Sequence, residues 1–202
     1  MLIFNKKLRW ISAFVISLIT IGLVLSYQSL NYEFLYYGAV VAAEIALILY
    51  MEKRVGFSKL LLWNMAIWCA LHFAGGLMPI PPELAEVGRP ANLYNLKISP
   101  YFPRFDQLVH TYGFGVATAF AYQAMRAHFK SFPINPANFA ILFLCGAGLG
   151  AMNEVIEFFA VLIMPQTNVG GYNNTCWDLV CNCIGAIIAI SLIRLKQLPS
   201  AA

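Results

Sequence analysis

Charge is what this chain has least of. Only 11% of its 202 residues are charged, against about 25% in soluble domains, and that balance excludes a water-soluble fold. Other signatures are missing too. "GAGLG" at Gly146–Gly150 follows no strand, so it reads as packing and not as a phosphate loop. There is no His-Glu-x-x-His metal motif, and no serine with a basic partner to act as a nucleophile. The five cysteines are odd in number. Cys181 and Cys183, two apart, face nearly opposite sides of a helix and cannot chelate together, so they read as small packing residues.

What the chain does have is apolar runs. Hydrophobic residues make up 60% of it, and six stretches are long enough to cross a bilayer, which takes about 20 residues each. They are Arg9–Ser29, Glu33–Met51, Lys59–Met78, Asp106–His128, Ala137–Met164 and Trp177–Leu195. The expected fold is all-α: a polytopic membrane bundle of about six transmembrane helices, forming one integral-membrane domain over residues 1–202. The first run is longer than a signal-peptide core and no small-x-small cleavage site follows it, so it is expected to be retained.

The formal net charge of +4 is unevenly placed. With the N-terminus in the cytoplasm, one side holds Lys6, Lys7, Arg9, Lys53, Arg54, Lys59, Arg126, Lys130, Arg194 and Lys196, and the other only Arg89, Lys97 and Arg104. This is the positive-inside pattern, and it sets both termini in the cytoplasm. The basic balance reports orientation and carries no nucleic-acid signal. The outer connection Pro79–Phe105 holds six prolines and is expected to be ordered against the outer mouth. The uncharged connection Pro165–Cys176 can dip back into the bundle, because irregular backbone is tolerated at membrane depth where protein covers it.

Against this apolar background, "GAMNEVIEFF" places Glu154 and Glu157 at membrane depth. Even on the mildest insertion scale a charged group at the bilayer centre costs roughly 2.5–3.5 kcal/mol, so both need partners. Two other helices supply candidates. Phe105-Asp106 is followed by His110, Gly113 and Ala117, and Trp177-Asp178 by Asn182, Gly185 and Ala189, at the same spacing and 72 residues apart. Each set falls on one helical stripe. The fifth span shows the stripe in mirror order, with Gly146, Gly150, Asn153 and Glu157. Three helices with small residues in their inner halves and polar ones in their outer halves predict a bundle pinched below and open above into a polar cavity.

Asp106, Glu154, Glu157 and Asp178 cannot all stay ionised in a poorly hydrated pocket. A divalent metal can neutralise them, with His72 and His110 as imidazole ligands. They can instead share protons, or a cationic substrate group can supply the balance. Oxygen-rich ligation with one or two imidazoles suits Zn, Mn or Mg. On the metal reading Asp106, His110, Glu154, Glu157, Asp178 and His72 are ligands, and Glu154, Glu157 and His110 carry the chemistry. Glu44 lies mid-membrane with no evident partner.

Asp106-x3-His110, Asn153-Glu154-x2-Glu157 and Trp177-Asp178-x3-Asn182-x2-Gly185-Ala186 resemble the bacterial inner-membrane proteins typified by YjdF, a family of unassigned function. The more distant VanZ-like proteins, some linked to reduced teicoplanin susceptibility, share the Asp-x3-His and Asp-x3-Asn-x2-Gly elements. They usually place Lys after the first Asp, where this chain has Gln107, and Gln at the position of Glu157. The resemblance covers about half the chain. It implies a multi-pass protein of the bacterial inner (cytoplasmic) membrane with a shared pocket, and it implies no reaction and no drug resistance.

Three functions remain open. One is a metal-dependent hydrolase or transferase acting on a lipid or lipid-linked substrate, with membrane lipids as neighbours. Another is a proton-coupled small-molecule transporter. The third is a non-catalytic subunit of a larger membrane complex. A polar path continuing inward would favour transport, yet the inner halves of the last three spans read small and apolar.

Overall fold

The computed structural model describes residues 8–99, 104–129 and 131–195. Lys6, Lys7, Lys130 and Lys196 of the charge count lie outside the described residues. The protein is all-α, with six long helices: α1 (Arg9–Gln28), α2 (Tyr32–Val55), α3 (Lys59–Leu77), α4 (Phe105–His128), α5 (Pro136–Ile163) and α6 (Tyr172–Arg194). All but α4 are long and apolar enough to cross a membrane.

Local chemistry sets the helix ends. Asn31 caps α2 by accepting from the Phe34 amide (3.1 Å), and Gly56 ends that helix in the left-handed conformation at φ 66°. Ser58 caps α3 through the Leu61 amide. Asn135 caps α5, whose first residue, Pro136, has no N–H to leave unsatisfied. Helix α6 begins at Tyr172, five residues before the expected Trp177. Its first turn, Tyr-Asn-Asn-Thr, is too polar to register as a span, yet it is helical and places Asn174 one turn above Asp178.

Helix α4 is the centre of the bundle, packed against α2, α3, α5 and α6. That position explains its composition. Asp106, Gln107, His110, Thr118 and Gln123 lower its hydropathy, and neighbouring helices cover them in place of lipid. Helices α1, α2 and α3 pack together through large apolar side chains such as Phe34, Leu62 and Phe73. Exposed Leu144, Phe158 and Ile163 on α5 and Ile16 and Val24 on α1 form the lipid-facing exterior expected of such a bundle.

Helices α4 and α6 run side by side in the same direction, with α5 antiparallel to both. Their approach is close enough that a Cβ on Gly185 would run into the Thr111 carbonyl and the Gly115 amide. The described part of the long connection after α3, residues 78–99, has its own local structure. It folds back through 3₁₀ turns at Pro82–Leu84 and Leu93–Asn95 and through bridges pairing Pro79 with Asn92 and Ala85 with Leu96.

Candidate metal centre

The outer ends of α4, α5 and α6 converge on the His110 ring. Its Nε2 lies 3.7 Å from Asp106 Oδ1, 3.8 Å from Glu157 Oε1 and 4.0 Å from Asp178 Oδ1, and its Nδ1 lies 3.8 Å from Glu154 Oε1. These gaps exceed hydrogen-bond length. The three gaps at Nε2 suit a cation held by two partners at about 2.0–2.2 Å each. Two ligand triads share the imidazole: Asp106, His110 and Asp178, and His110, Glu154 and Glu157, each with its ligand atoms within 4.8 Å of one another.

The remaining hydrogen bonds orient these groups. His110 Nδ1 lies 3.0 Å from Asn182 Oδ1. An amide oxygen only accepts, so Nδ1 carries the proton and Nε2 keeps its lone pair towards the carboxyls. Asp178 is fully buried and accepts from Gln107 Nε2 and Asn174 Nδ2, both at 2.5 Å. Asn153 donates to Glu157 Oε1 at 2.9 Å. Arg104, itself buried, pairs with Asp106 at 3.3 Å, and also binds Asn95 and Glu86.

Glu154 is the exception. Its side chain is 8% exposed, and both carboxyl oxygens are buried with no well-formed hydrogen bond, the Asn153 side chain being their nearby amide. An ionised carboxylate buried without a compensating charge costs several kcal/mol, so its place beside His110 calls for a further partner. The donor set therefore fits a hard or borderline divalent cation: carboxylate oxygens, one oriented imidazole, and orphaned oxygens facing it.

His72 lines the same polar cavity, of about 60 Å³, but belongs to neither triad. Its Nδ1 is 2.7 Å from the Tyr94 hydroxyl, and its ring stacks on Trp68. Burial, reinforced by the nearby carboxyls of Asp106 and Glu157, raises the Tyr94 pKa above that of a free tyrosine. The phenol thus stays protonated and pairs with Nδ1, while His72 Nε2 is buried without a partner. Glu44 lies away from the cluster, on the wall of a separate apolar groove.

Some residues of the centre carry weak sequence signals. Gln107 is the hub: its Oε1 accepts from the Arg104 amide (2.8 Å) while its Nε2 serves Asp178. A Gln at the third position of a helix is a recognisable capping signal. The roof has none. Asn168 accepts from Asn95 Nδ2 at 2.8 Å, its carbonyl accepts from Arg89, and its amide donates to Glu33 of α2 at 2.7 Å. The 165–171 stretch thereby lies over the mouth, tied to the long outer connection.

The fold and this centre define a class: a multi-pass membrane protein with a buried Asp/His/Glu cluster able to hold a metal. The family described as "Predicted membrane protein (DUF2238)" matches residues 7–197, and the chain belongs to that family. It is also similar to an uncharacterized protein of Thermotoga maritima, 28% identical over 94 residues, covering 46% of this chain and 49% of the relative. The chain thus spans about half the length of that curated relative. No solved structure matches.

Proposed function

We propose that this protein is a membrane-embedded enzyme, a metal-dependent hydrolase or transferase whose substrate is a lipid or lipid-linked molecule reaching an outward-facing chamber. Asp106, His110, Glu154, Glu157 and Asp178 hold Zn, Mn or Mg, and both termini lie in the cytoplasm of a bacterial cell, in its inner membrane. The kinship to YjdF-like and, more distantly, VanZ-like proteins belongs to this proposal and brings no activity with it.

One observation carries the reading: the carboxyl of Glu154 is buried, has no well-formed hydrogen bond, and sits beside an imidazole whose other nitrogen faces three more carboxyls. A bound divalent cation supplies charge neutralisation and Lewis-acid polarisation of a carbonyl or phosphoryl oxygen. The chain supplies the rest. Glu157, steadied by Asn153, is placed to take a proton from an attacking water or hydroxyl. His72 Nε2 is an unpaired polar atom available to a substrate, and Asn182 fixes the His110 ring. Transport is disfavoured by the seal between α4, α5 and α6: a Cβ on Gly150 would press on Asn182, and one on Gly146 on Thr118 and Ala186, and the space beside it is apolar and offers no polar path.

Elemental analysis of purified protein tests the reading. Wild type should carry stoichiometric divalent metal. His110→Ala and Glu154→Gln should lose it alike, since ligands act as a unit, with affinity falling on the order of 10–100-fold or more. Glu44→Gln should keep it. A metal-free wild type in which both cluster substitutions merely lower thermal stability would replace the enzyme with a structural lock. Reporter fusions at the C-terminus should be active only on the cytoplasmic side.

A further inference from the structure

Beneath the polar chamber lies an apolar groove of about 400 Å³, walled by α2, α3, α4 and α5. Three half-buried residues, Trp68, Phe114 and Asn153, line both spaces, so the groove abuts the chamber at that wall. Its α4 wall runs from Gly113 to Ala124, roughly 16 Å along the axis. That is about one leaflet's hydrocarbon depth, half of roughly 30 Å. At their outer ends α2 and α5 are tied by the Tyr36 hydroxyl, which donates to the Ile156 carbonyl at 3.1 Å. Below that tie the space between them is the groove, bounded by Leu47 on one side and Leu149 and Met152 on the other, all three exposed to the bilayer.

From this adjacency we infer that the groove takes one acyl chain of a bilayer glycerophospholipid, entering laterally between α2 and α5, with the chain's ester end at Asn153 and Glu157. The inference rests on the lipid reading of the chamber and adds where the chain lies and which bond it presents. Apolar walls match a methylene chain, and the polar groups gather only at the end where an ester would sit. The larger hollow of about 480 Å³ between α3, α4 and α6 is a poorer path. It shares only Val109 with the chamber, and that side chain is 3% exposed and closes the way. Glu44 is the groove's one charged wall residue and lies well below the ester level.

Trp68 reports occupancy, because it lines the groove and is half-buried, whereas Trp177 is 51% exposed. The experiment uses full-length protein in liposomes of phosphatidylethanolamine and phosphatidylglycerol with acyl chains brominated in their upper third. One version keeps Trp68 alone (Trp10, Trp63 and Trp177 each →Phe), and another keeps Trp177 alone. Bromolipid should quench Trp68 to an extent comparable with Trp177. Ala117→Phe, overfilling the α4 wall, should weaken the Trp68 effect on the order of tenfold and leave that at Trp177 unchanged. An unquenched Trp68 beside a quenched Trp177 overturns the proposal without any blocking variant, and a groove covered by a partner helix would give that result. Quenching untouched by Ala117→Phe in folded protein overturns it as well. The readout is independent of metal: Trp68 quenched in metal-free wild type would keep the groove and reject the metal centre, and the converse would do the reverse.

Discussion

Helix α4 presents Asp106, His110, Gly113 and Ala117, and helix α6 presents Asp178, Asn182, Gly185 and Ala189 at the same spacing. The two stripes meet, and His110 bonds Asn182, its counterpart 72 residues on. Equal spacing nevertheless gives unequal environments. Asp178 is fully buried with two amide donors, whereas the Asp106 side chain is 16% exposed and faces Arg104. Gly185 meets the backbone of α4, whereas Gly113 meets the Trp68 side chain of α3. Asn182 is pressed by Gly150 of α5, which leaves no space there for an imidazole. The α4 stripe faces the chamber and carries the reactive ring, while the α6 stripe is the buttress that orients it.

The glycines should separate the two roles most sharply. Gly185→Ala puts a methyl into the Thr111 carbonyl and the Gly115 amide, and neither can step aside. The cost should be roughly 3 kcal/mol or more, at the upper end for overpacking. Gly113→Ala meets only the indole edge of Trp68, which can shift, and should cost about 1 kcal/mol. Thermal unfolding in detergent compares them. Equal losses would mean that the α4–α6 approach is no tighter than the α3–α4 one.

The aspartates should differ next. Asp178→Ala removes the acceptor of the Asn174 amide and the shortest bond of Gln107 Nε2, which keeps Asn174 Oδ1, and should cost about 2 kcal/mol. Asp106→Ala leaves Arg104 with Asn95 and Glu86, and should cost about 1 kcal/mol or less. Denaturation midpoints reversed in order would assign the buttress to α4.

Hydropathy made the six helices legible because lipid-facing surfaces must be apolar along their whole length. It failed at Tyr172–Cys176, where polar residues continue a helix beyond its apolar run, and it understated α4, whose polar residues are hidden by other helices. The echo between α4 and α6 was readable as spacing, and their contact gives that spacing a physical cause. What spacing could not convey is the direction of each side chain. His72 shares the chamber wall, yet its ring is committed to Tyr94, a residue from a proline-rich connection with no periodicity to read. Asn95, Arg104 and Asn168 come from such connections too, and their convergence is a product of tertiary folding alone.

The smallest stability effect should come from Gln107→Lys, the residue VanZ-like proteins usually carry there, and it tests what the cluster requires. Gln107 Nε2 lies 2.5 Å from Asp178 Oδ1 and 3.4 Å from Asp106 Oδ2, so it bridges the two echoed aspartates. A lysine ammonium at this place can donate to both, with charge-assisted bonds stronger than the amide's. The substitution removes the Gln107 Oε1 cap on the Arg104 amide, a loss of about 1 kcal/mol. These changes oppose each other, so unfolding should shift by less than about 1 kcal/mol. Metal binding should not share that indifference. A fixed positive charge between Asp106 and Asp178 does part of what a divalent cation would do there and repels the cation itself, so affinity should fall on the order of tenfold or more. Titration of metal-stripped wild type and Gln107→Lys with zinc measures it. A folded lysine variant with unchanged zinc affinity would show that the α4 and α6 aspartates are not ligands. The cation, if bound, would then belong to His110, Glu154 and Glu157 alone.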